Sequence, residues 1–345
     1  MRQSAIRSGV LPNPPPLAGD KREETARPGN SDHGAVEIPT YYDLPALKQS
    51  FYGWKVSTYI LIAGIAGSSQ ILAAVAEFTD AQANQNVIRN ARYIALGGSV
   101  GGAALLIIDL HTPTRFYNML RIFRPTSPMS IGSYVLTSFG ALSALLAAAQ
   151  LRHDLGGGPS GFDTLARAAQ IPAAVTGAAM STYTGALLAA TSTPLWAAMP
   201  KLLPASFGAS AMASAAAALS LLTAGGSEQE RLHRVELIAS AVELLLVAML
   251  PGKLRDKGIK TRIGVAPVLV AGAAPLLHQI AGAVERPRSN RADDLAAQTR
   301  RAVRFGKASA VAVLAGAFLL RHLVLRAGNE SAKRPRDHFR FSRPR

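Results

Sequence analysis

The stretch IIDLHTPTRFYNMLRIFRPTSPMSIG, residues 107–132, joins two long apolar tracts through a short polar connection. The connection holds one carboxylate, one imidazole and three guanidiniums, contributed by Asp109, His111, Arg115, Arg121 and Arg124. Charges interrupt apolar sequence in this way where a chain leaves a membrane and re-enters it, because about 20 helical residues cross the roughly 30 Å of hydrocarbon. The flanking tracts therefore decide how the connection is interpreted.

The composition favours a membrane protein. Of 345 residues, 49% are hydrophobic and only 17% are charged, and the charges cluster at the two ends and in short connectors. Only helices and closed barrels satisfy their backbone groups in lipid, and the alternating pattern of barrel strands is absent. We therefore predict an all-α integral membrane protein. Eight apolar tracts are predicted to be transmembrane helices, at 54–76, 92–109, 129–150, 165–190, 205–224, 233–250, 263–284 and 303–325.

The two ends of the chain differ from its apolar middle. Residues 1–50 are rich in Pro, Gly and charge, lack the apolar core of a signal peptide and are predicted to be disordered. The basic tail 326–345 is predicted to be disordered as well, which leaves 51–325 as the transmembrane helical domain. The net charge of +16 favours contact with anionic membrane lipids. No nucleic-acid partner is expected, because no folded basic domain is predicted.

The polar connection between the second and third tracts is predicted to be a hinge that contains a short surface helix. Thr112 and Pro113 form a favoured helix start, and Ser127 with Pro128 repeats the pattern before the third tract. An apolar stripe at helical spacing is formed by Phe116, Met119, Leu120 and Phe123. The arginines lie off this stripe, which is typical of an amphipathic helix in the membrane interface.

Two interpretations of the hinge charges remain open. In the first, the arginines reach lipid phosphates and Asp109 pairs with Arg115 to hold the turn. In the second, Asp109 and His111 lie at the mouth of a pocket between helices, where they exchange protons with a lipophilic ligand. A carboxylate at membrane depth is costly and therefore marks a functional site by default. Spacing alone does not choose between them.

Two further patterns lie inside the tracts. Gly97 with Gly101, and Gly98 with Gly102, are spaced four apart, which indicates close helix packing rather than a ligand site. In the sixth tract, three titratable side chains occur together, at His233, Glu236 and Glu243. A proton path or simple pairing with an arginine such as Arg234 would each account for them.

Three segments carry a resemblance to a known family. They are DLHTPTRFYNMLRIFRPTSPMSIGSYVL at 109–136, YYDLPALKQSFYGWKVSTYILIAGIAGSS at 41–69 and YTGALLAATSTPLWAAMPKLLPASFGASA at 183–211. The first closely resembles the Asp-Leu-x-x-Pro-x-Arg-Phe … Ser-Pro-Met-Ser-x-Gly segment of the NrfD/polysulfide reductase membrane-subunit family. The other two resemble its Tyr-Tyr-x-x-Pro start and its Tyr-Thr-Gly-x-Leu-Leu region. Beyond residue 211 the agreement rests mainly on helix count.

The resemblance implies a fold, a role and partners. It implies about eight transmembrane helices in two four-helix bundles, in the cytoplasmic (inner) membrane of the cell. Members are membrane subunits of multi-subunit oxidoreductases that do not hold the catalytic centre. They bind menaquinone or ubiquinone beside a ferredoxin-like iron–sulfur subunit, which serves a molybdopterin catalytic subunit. No metal or haem is expected in the chain itself, and it contains no Cys to hold a cluster.

The resemblance also implies candidate quinone-binding residues. Tyr59 occupies the position at which the best-known polysulfide reductase offers a His to the quinone, and Tyr183 is the Tyr of the Tyr-Thr-Gly motif. Asp109 and Arg115 match the family motif directly, whereas His111 falls at a variable position. A phenol donates a hydrogen bond to a quinone carbonyl, but its pKa of about 10 makes it a poor proton shuttle at neutral pH.

Other roles stay open at this stage. Arg121 and Arg124 are candidates for docking an acidic partner subunit. The departure at Tyr59 also favours a second reading, a structural anchor that has lost quinone chemistry. An unrelated small-solute transporter is the third, although the second half of the chain has few internal Gly or Pro interruptions of the kind that transporters use.

Overall fold

The computed structural model describes residues 47–50, 52–110, 112–158, 160–223, 226–256 and 292–334, with backbone alone for 292–305. Within these ranges the chain is helical and contains no strand. The elements are α1 (Trp54–Asp80), α2 (Gln85–Ile108), a 3-10 turn (Pro113–Arg115), α3 (Asn118–Arg121), α4 (Pro128–Asp154), α5 (Gly161–Ala189), α6 (Pro194–Ala197), α7 (Leu202–Leu222), α8 (Ser227–Asp256) and α9 (Ala292–Ala332). The long helices overlap the predicted tracts, apart from tract 263–284, which lies outside the described residues. Helix α9 continues to Ala332, so the first seven residues of the predicted disordered tail 326–345 are helical instead.

Six of the described helices are long and apolar enough to cross a membrane. They are α1, α2, α4, α7, α8 and the segment Gly306–Ala332 of α9. The predicted all-α membrane architecture is confirmed by this composition. A seventh helix, α5, has 29 residues but is not among the six. It contains Pro172, its buried face carries Gln170, Ser181 and Thr184, and its opposite face exposes Ile171 and Val175.

Helices α1, α2, α4 and α5 pack as a closed ring in which each helix contacts the next. Helix α7 packs on α1 and α5 from outside the ring, and it carries α8 and α9 on its other sides. The short helix α6 buries Trp196, whose indole nitrogen donates to the Val324 carbonyl of α9 at 2.9 Å. The hinge lies at one end of the ring, and the α1–α2 and α4–α5 connections lie at the other.

Local capping explains where the ring helices begin. Ser127 accepts a hydrogen bond from the Ser130 backbone nitrogen, and Pro128 occupies the first turn of α4, as the sequence predicts. At the start of α5, Ser160 and Asp163 form a reciprocal capping box. Thr112 makes no such side-chain bond, so only the second of the two predicted caps in the hinge is formed through its side chain.

The hinge differs from the predicted continuous surface helix. It consists of the 3-10 turn and the four-residue α3, and Ile122 after it is extended. Side chains of α4 account for this break, because they bond to hinge backbone groups: Tyr134 donates to the Leu120 carbonyl at 2.9 Å, and Ser130 accepts from the Arg124 nitrogen at 3.0 Å. The apolar stripe nevertheless remains partly uncovered, with Phe123 54% exposed.

The tightest contact in the ring joins α1 to α5. A Cβ added at Gly67 would lie 2.3 Å from the Gly177 carbonyl, so the two backbones touch. Of the two predicted glycine stripes in α2, only one faces a neighbour: a Cβ at Gly98 would lie 2.7 Å from Ala66, and nothing lies within 4 Å of one at Gly97. Close packing through small residues therefore holds α1 between α2 and α5.

We expect Gly67→Ala to lower the unfolding free energy by about 1–3 kcal/mol, because the added methyl overpacks the α1–α5 contact. Gly97→Ala is the matched control: it adds the same methyl to a helix glycine that faces open space, so it is expected to be neutral or slightly stabilising. Unfolding of both purified variants in an SDS titration measures the difference. Equal stability of the two variants would contradict the backbone contact.

Candidate functional site

An open apolar groove of about 450 Å³ lies between α2 and α4. Its hinge end is formed by Leu110, Phe116, Met119 and Leu120, and its walls include Val100, Ala103, Ile107, Leu136 and Gly140. The hydroxyl groups along it are already used within their own helices. Ser99 donates to the Leu96 carbonyl at 2.8 Å and Thr137 to the Ser133 carbonyl at 2.8 Å. The groove therefore offers a hydrocarbon chain contact without unsatisfied polar groups.

Tyr59 lies inside the ring beside this groove. Its half-buried side chain packs against a buried cluster that Val135 and Leu136 of α4 also cover. A Cβ added at Gly102 of α2 would lie 3.5 Å from the ring, so this glycine makes room for it. Ala103, the next residue of α2, lines the groove, so the phenol lies close to the α2 wall of the groove. The Tyr59 hydroxyl forms no hydrogen bond with the described residues, which leaves it available to a ligand.

Tyr183 lies near Tyr59 but its polar group is occupied. Its hydroxyl donates to the carbonyl of Pro128 in the first turn of α4. A Cβ at Gly132 would lie 2.4 Å from its ring, so only glycine fits beneath it. The two phenols are close enough to interact electrostatically. Tyr183 therefore links α5 to the first turns of α4.

The charged hinge residues lie on the surface. Asp109 follows the last turn of α2, and Arg115 ends the 3-10 turn; both are exposed. Neither forms an ion pair with described residues, so the Asp109–Arg115 pair of the first interpretation is not formed. Their chain neighbours Leu110 and Phe116 line the groove, which puts both charges beside its hinge end. His111 lies outside the described residues.

Arg121 and Arg124 are also exposed, and neither has an ion-pair partner in the described part of the chain. They share the hinge with large apolar side chains that are not covered, among them Tyr117 at 58% exposed and Ile122 at 50% exposed. This combination of free cations and uncovered apolar surface suits a protein partner or lipid headgroups equally well in chemical terms.

A second polar cluster lies between α7, α8 and α9, away from the hinge. The Arg321 guanidinium, fully buried, donates to Ser210 Oγ at 3.0 Å and to the Ala317 carbonyl at 2.8 Å. Glu243 of α8, 4% exposed, lies near enough to feel the Arg321 charge, although the two form no ion pair within 4.0 Å. Gly64 of α1 leaves space for this guanidinium, since a Cβ there would lie 3.2 Å from Arg321 Nη2. Two side chains of opposite formal charge are therefore buried in the same apolar region.

The other carboxylate of α8 has different partners. Glu236 is fully buried; one oxygen lies 3.1 Å from His233 Nδ1 and the other accepts from Ser309 of α9 at 3.4 Å. Arg234, expected as a partner of these carboxylates, instead pairs with Glu230 on the surface at 2.5 Å. The pairing with Arg234, one of the two alternatives left open by the sequence, is therefore not formed, because residues on one exposed turn of α8 do not reach its buried face.

Arg321 was missed by the sequence reasoning, although a signal was present. The predicted tract 303–325 contains one arginine within its apolar sequence, Arg321 in FLLRHL. Tract 233–250 contains two glutamates. A lone intramembrane cation opposite intramembrane carboxylates indicates pairing between two helices. Sequence spacing alone does not show which helices are adjacent, so the partner could not be assigned before the structure.

The comparisons with known proteins agree with the sequence resemblance. A family profile described as "Polysulphide reductase, NrfD" matches residues 44–258, more than half of the chain. The match covers the hinge, the ring helices and α7, and it extends through α8 with its buried carboxylates. A comparison with curated proteins finds no match.

We expect Glu243→Gln to destabilise the chain by about 1–3 kcal/mol, because it removes the negative charge that acts on the buried Arg321 guanidinium. Glu230→Gln is the control: it removes the same charge from an exposed pair of α8, which solvent screens, so it is expected to be close to neutral. The double variant Glu243→Leu with Arg321→Leu removes both charges and should recover most of the loss. SDS unfolding of the purified variants tests this, and similar losses for the two single variants would refute the coupling between the two buried charges.

Proposed function

Because the chain belongs to the polysulphide reductase NrfD family, we propose that it is the quinone-binding membrane subunit of a multi-subunit oxidoreductase. In this proposal it binds menaquinone or ubiquinone and exchanges electrons with a ferredoxin-like iron–sulfur subunit, which serves a molybdopterin catalytic subunit. The observation that supports it most directly is the apolar groove that ends at the hinge, close to a tyrosine hydroxyl that has no hydrogen-bond partner among the described residues.

The shape and chemistry of the groove suit a quinone. A quinone combines an apolar isoprenoid tail with a ring that carries two carbonyl oxygens, so it needs apolar walls and a few hydrogen-bond donors. The groove volume of about 450 Å³ lies within the range of roughly 300–1,000 Å³ usual for small-molecule sites. We infer that the tail lies along α2 and α4, and that the ring approaches the Tyr59 hydroxyl near the hinge end of the groove.

The proposed chemistry divides between two residues. Oxidation of a quinol releases two electrons and two protons; the electrons pass to the iron–sulfur partner, and the protons pass to water. Tyr59 donates a hydrogen bond to a ring oxygen and positions it, since a phenol stays protonated at neutral pH. Asp109, exposed next to groove-lining Leu110, is the proposed proton acceptor at the groove mouth, and Arg115 beside Phe116 holds the opposite charge nearby.

A structural anchor without quinone chemistry is the alternative, and one observation favours it. Tyr59 occupies the position that corresponds, by the sequence resemblance, to the quinone-binding His of the best-known polysulfide reductase. The Tyr183 hydroxyl already donates its hydrogen bond to the Pro128 carbonyl. An anchor of this kind would use the hinge for docking and leave the groove to lipid chains. Quinone content of the purified complex separates the two functions, because only the first requires a bound quinone.

We expect Tyr59→Phe to lower quinol oxidation by the purified complex by about threefold to tenfold, the effect of losing one neutral hydrogen bond. Tyr93→Phe is the control, because that tyrosine lies at the far end of α2 and donates to Asp154. A second variant, Ala103→Trp, fills the groove and should reduce the extractable quinone as well as turnover. Unchanged turnover in Tyr59→Phe together with unchanged quinone in Ala103→Trp would leave the anchor function standing.

We expect the double charge reversal Arg121→Glu with Arg124→Glu to weaken attachment of the iron–sulfur subunit, because the proposed partner presents acidic side chains to the hinge. Arg234→Glu is the matched control. It reverses an exposed arginine at the start of α8, beside the α1–α2 connection at the opposite end of the ring. Co-purification at increasing salt measures attachment. Equal retention in all three proteins would exclude the two hinge arginines from docking.

A further inference from the structure

A second cavity, of about 460 Å³, lies at the end of the ring opposite the hinge. It is formed where α1 and α4 end and where α2 and α5 begin. Unlike the apolar groove, it is lined by charged side chains: Glu77, Arg89, Arg92, His153, Asp154 and Arg167 are among them. None of these residues has a part in the proposed quinone chemistry.

Most of the charges around this cavity are already paired. Arg92 Nη2 lies 2.6 Å from Glu77, and Arg89 Nε lies 2.8 Å from Asp154. Asp163, a third carboxylate in the lining, pairs with Arg152 at 3.1 Å. Arg167 remains without a carboxylate partner among the described residues. The lining has three arginines and three carboxylates, and Arg152 beside it neutralises Asp163, so one arginine charge is left in excess.

Hydrogen-bond donors are also left over, and they surround the same space. Arg89 uses only its Nε, so its two terminal amino groups are free of partners in the described region. The Arg167 guanidinium and the His153 ring are exposed and likewise make no hydrogen bond there. Arg92, in contrast, is committed to Gln150 at 3.0 Å and to Glu77. Forked guanidinium donors around an uncompensated positive charge suit the oxygens of a phosphoryl group.

The position of the cavity indicates where such a group would come from. Helices α1, α2 and α4 are three of the six long apolar helices, and their charged ends meet here. These ends lie at the level of the lipid headgroups, because charged side chains mark the boundary of the hydrocarbon. Basic pockets between transmembrane helices at this level bind anionic headgroups.

We propose that this cavity binds the phosphoryl group of an anionic phospholipid headgroup, through Arg167, His153 and the terminal amino groups of Arg89. The proposal is independent of quinone binding, since it concerns the other end of the ring. Inorganic phosphate offers the same oxygens, so it is the competing source of the ligand. The phosphatidylcholine headgroup also contains a phosphate, but its choline carries a permanent positive charge. The excess positive charge of Arg167 therefore disfavours binding of this lipid.

Native mass spectrometry of the full purified chain, with any subunits that accompany it, tests the proposal. The protein is titrated with phosphatidylglycerol or with phosphatidylcholine in detergent, and retained lipid is counted. We expect tighter retention of phosphatidylglycerol and a loss of about fivefold in its affinity in Arg167→Gln, since one arginine near the headgroups contributes about 1 kcal/mol. Arg167→Glu should lose more. Arg234→Gln, an exposed arginine near the same end of the ring, should retain lipid like the wild type.

Each outcome of this titration decides one point. Displacement of phosphatidylglycerol by millimolar inorganic phosphate, abolished in Arg167→Glu, would keep the phosphoryl site and assign free phosphate as its ligand. Equal retention of the two lipids, or equal loss in Arg167→Gln and Arg234→Gln, would overturn the site. His153→Gln is a second variant. If it retains phosphatidylglycerol like the wild type while Arg167→Gln does not, the imidazole is not part of the site. If both variants retain the lipid like the wild type, the proposed site is refuted.

Discussion

The contact between the backbones of Gly67 and Gly177 is the constraint on which the rest of the structure depends. At this point α1 and α5 approach until a single methyl group no longer fits between them. Because α5 is not among the six helices that are long and apolar enough to cross a membrane, and because it carries a buried Gln, Ser and Thr, this contact helps to hold it in the ring. The hydroxyl of Ser181 adds to it, since it lies 2.9 Å from Ser68 and 3.3 Å from the Gly64 carbonyl.

Closing the ring in this way creates two different ends. Towards the hinge end, Tyr59 lies against Gly102 of α2, Tyr183 lies against Gly132 of α4, and the groove runs between α2 and α4. At the other end, the same packing brings the charged ends of four helices around one cavity. The middle of the ring is apolar or small, through residues such as Ala66, Ala95 and Phe139. One helix-to-helix contact thus positions both regions that we connect with ligands.

The sequence predicted the helices better than it predicted their partners. Length and apolarity locate a membrane helix from local residues alone, and Ser127 with Pro128 marks the start of α4 as expected. The hinge helix was predicted from its stripe, but the stripe carries no information about Tyr134 and Ser130, whose bonds to hinge backbone groups break the helix. The same limit applies to Glu243. Its carboxylate was visible in the sequence, whereas its neighbour Arg321 lies 78 positions further along the chain and is reached only through the packing of α7, α8 and α9.

The candidate site shows the same division. Tyr59, Asp109, Arg115 and Tyr183 were selected by motif, and a motif does not state which polar group is free. The structure distinguishes them, because the Tyr183 hydroxyl is bonded to Pro128 while the Tyr59 hydroxyl has no partner in the described region.

That difference bears on the substitution of Tyr for His in α1. A phenol at neutral pH donates a hydrogen bond but does not take up a proton, so in the proposed function the quinol's protons must be accepted by a separate group. An exposed carboxylate at the end of α2, in contact with water and adjacent in sequence to the groove wall, satisfies that requirement without burying a charge. The separation of donor and acceptor therefore follows from the chemistry of Tyr59 itself, and it explains why a quinone site in this chain would extend from the interior of the ring to the hinge rather than lie at one residue.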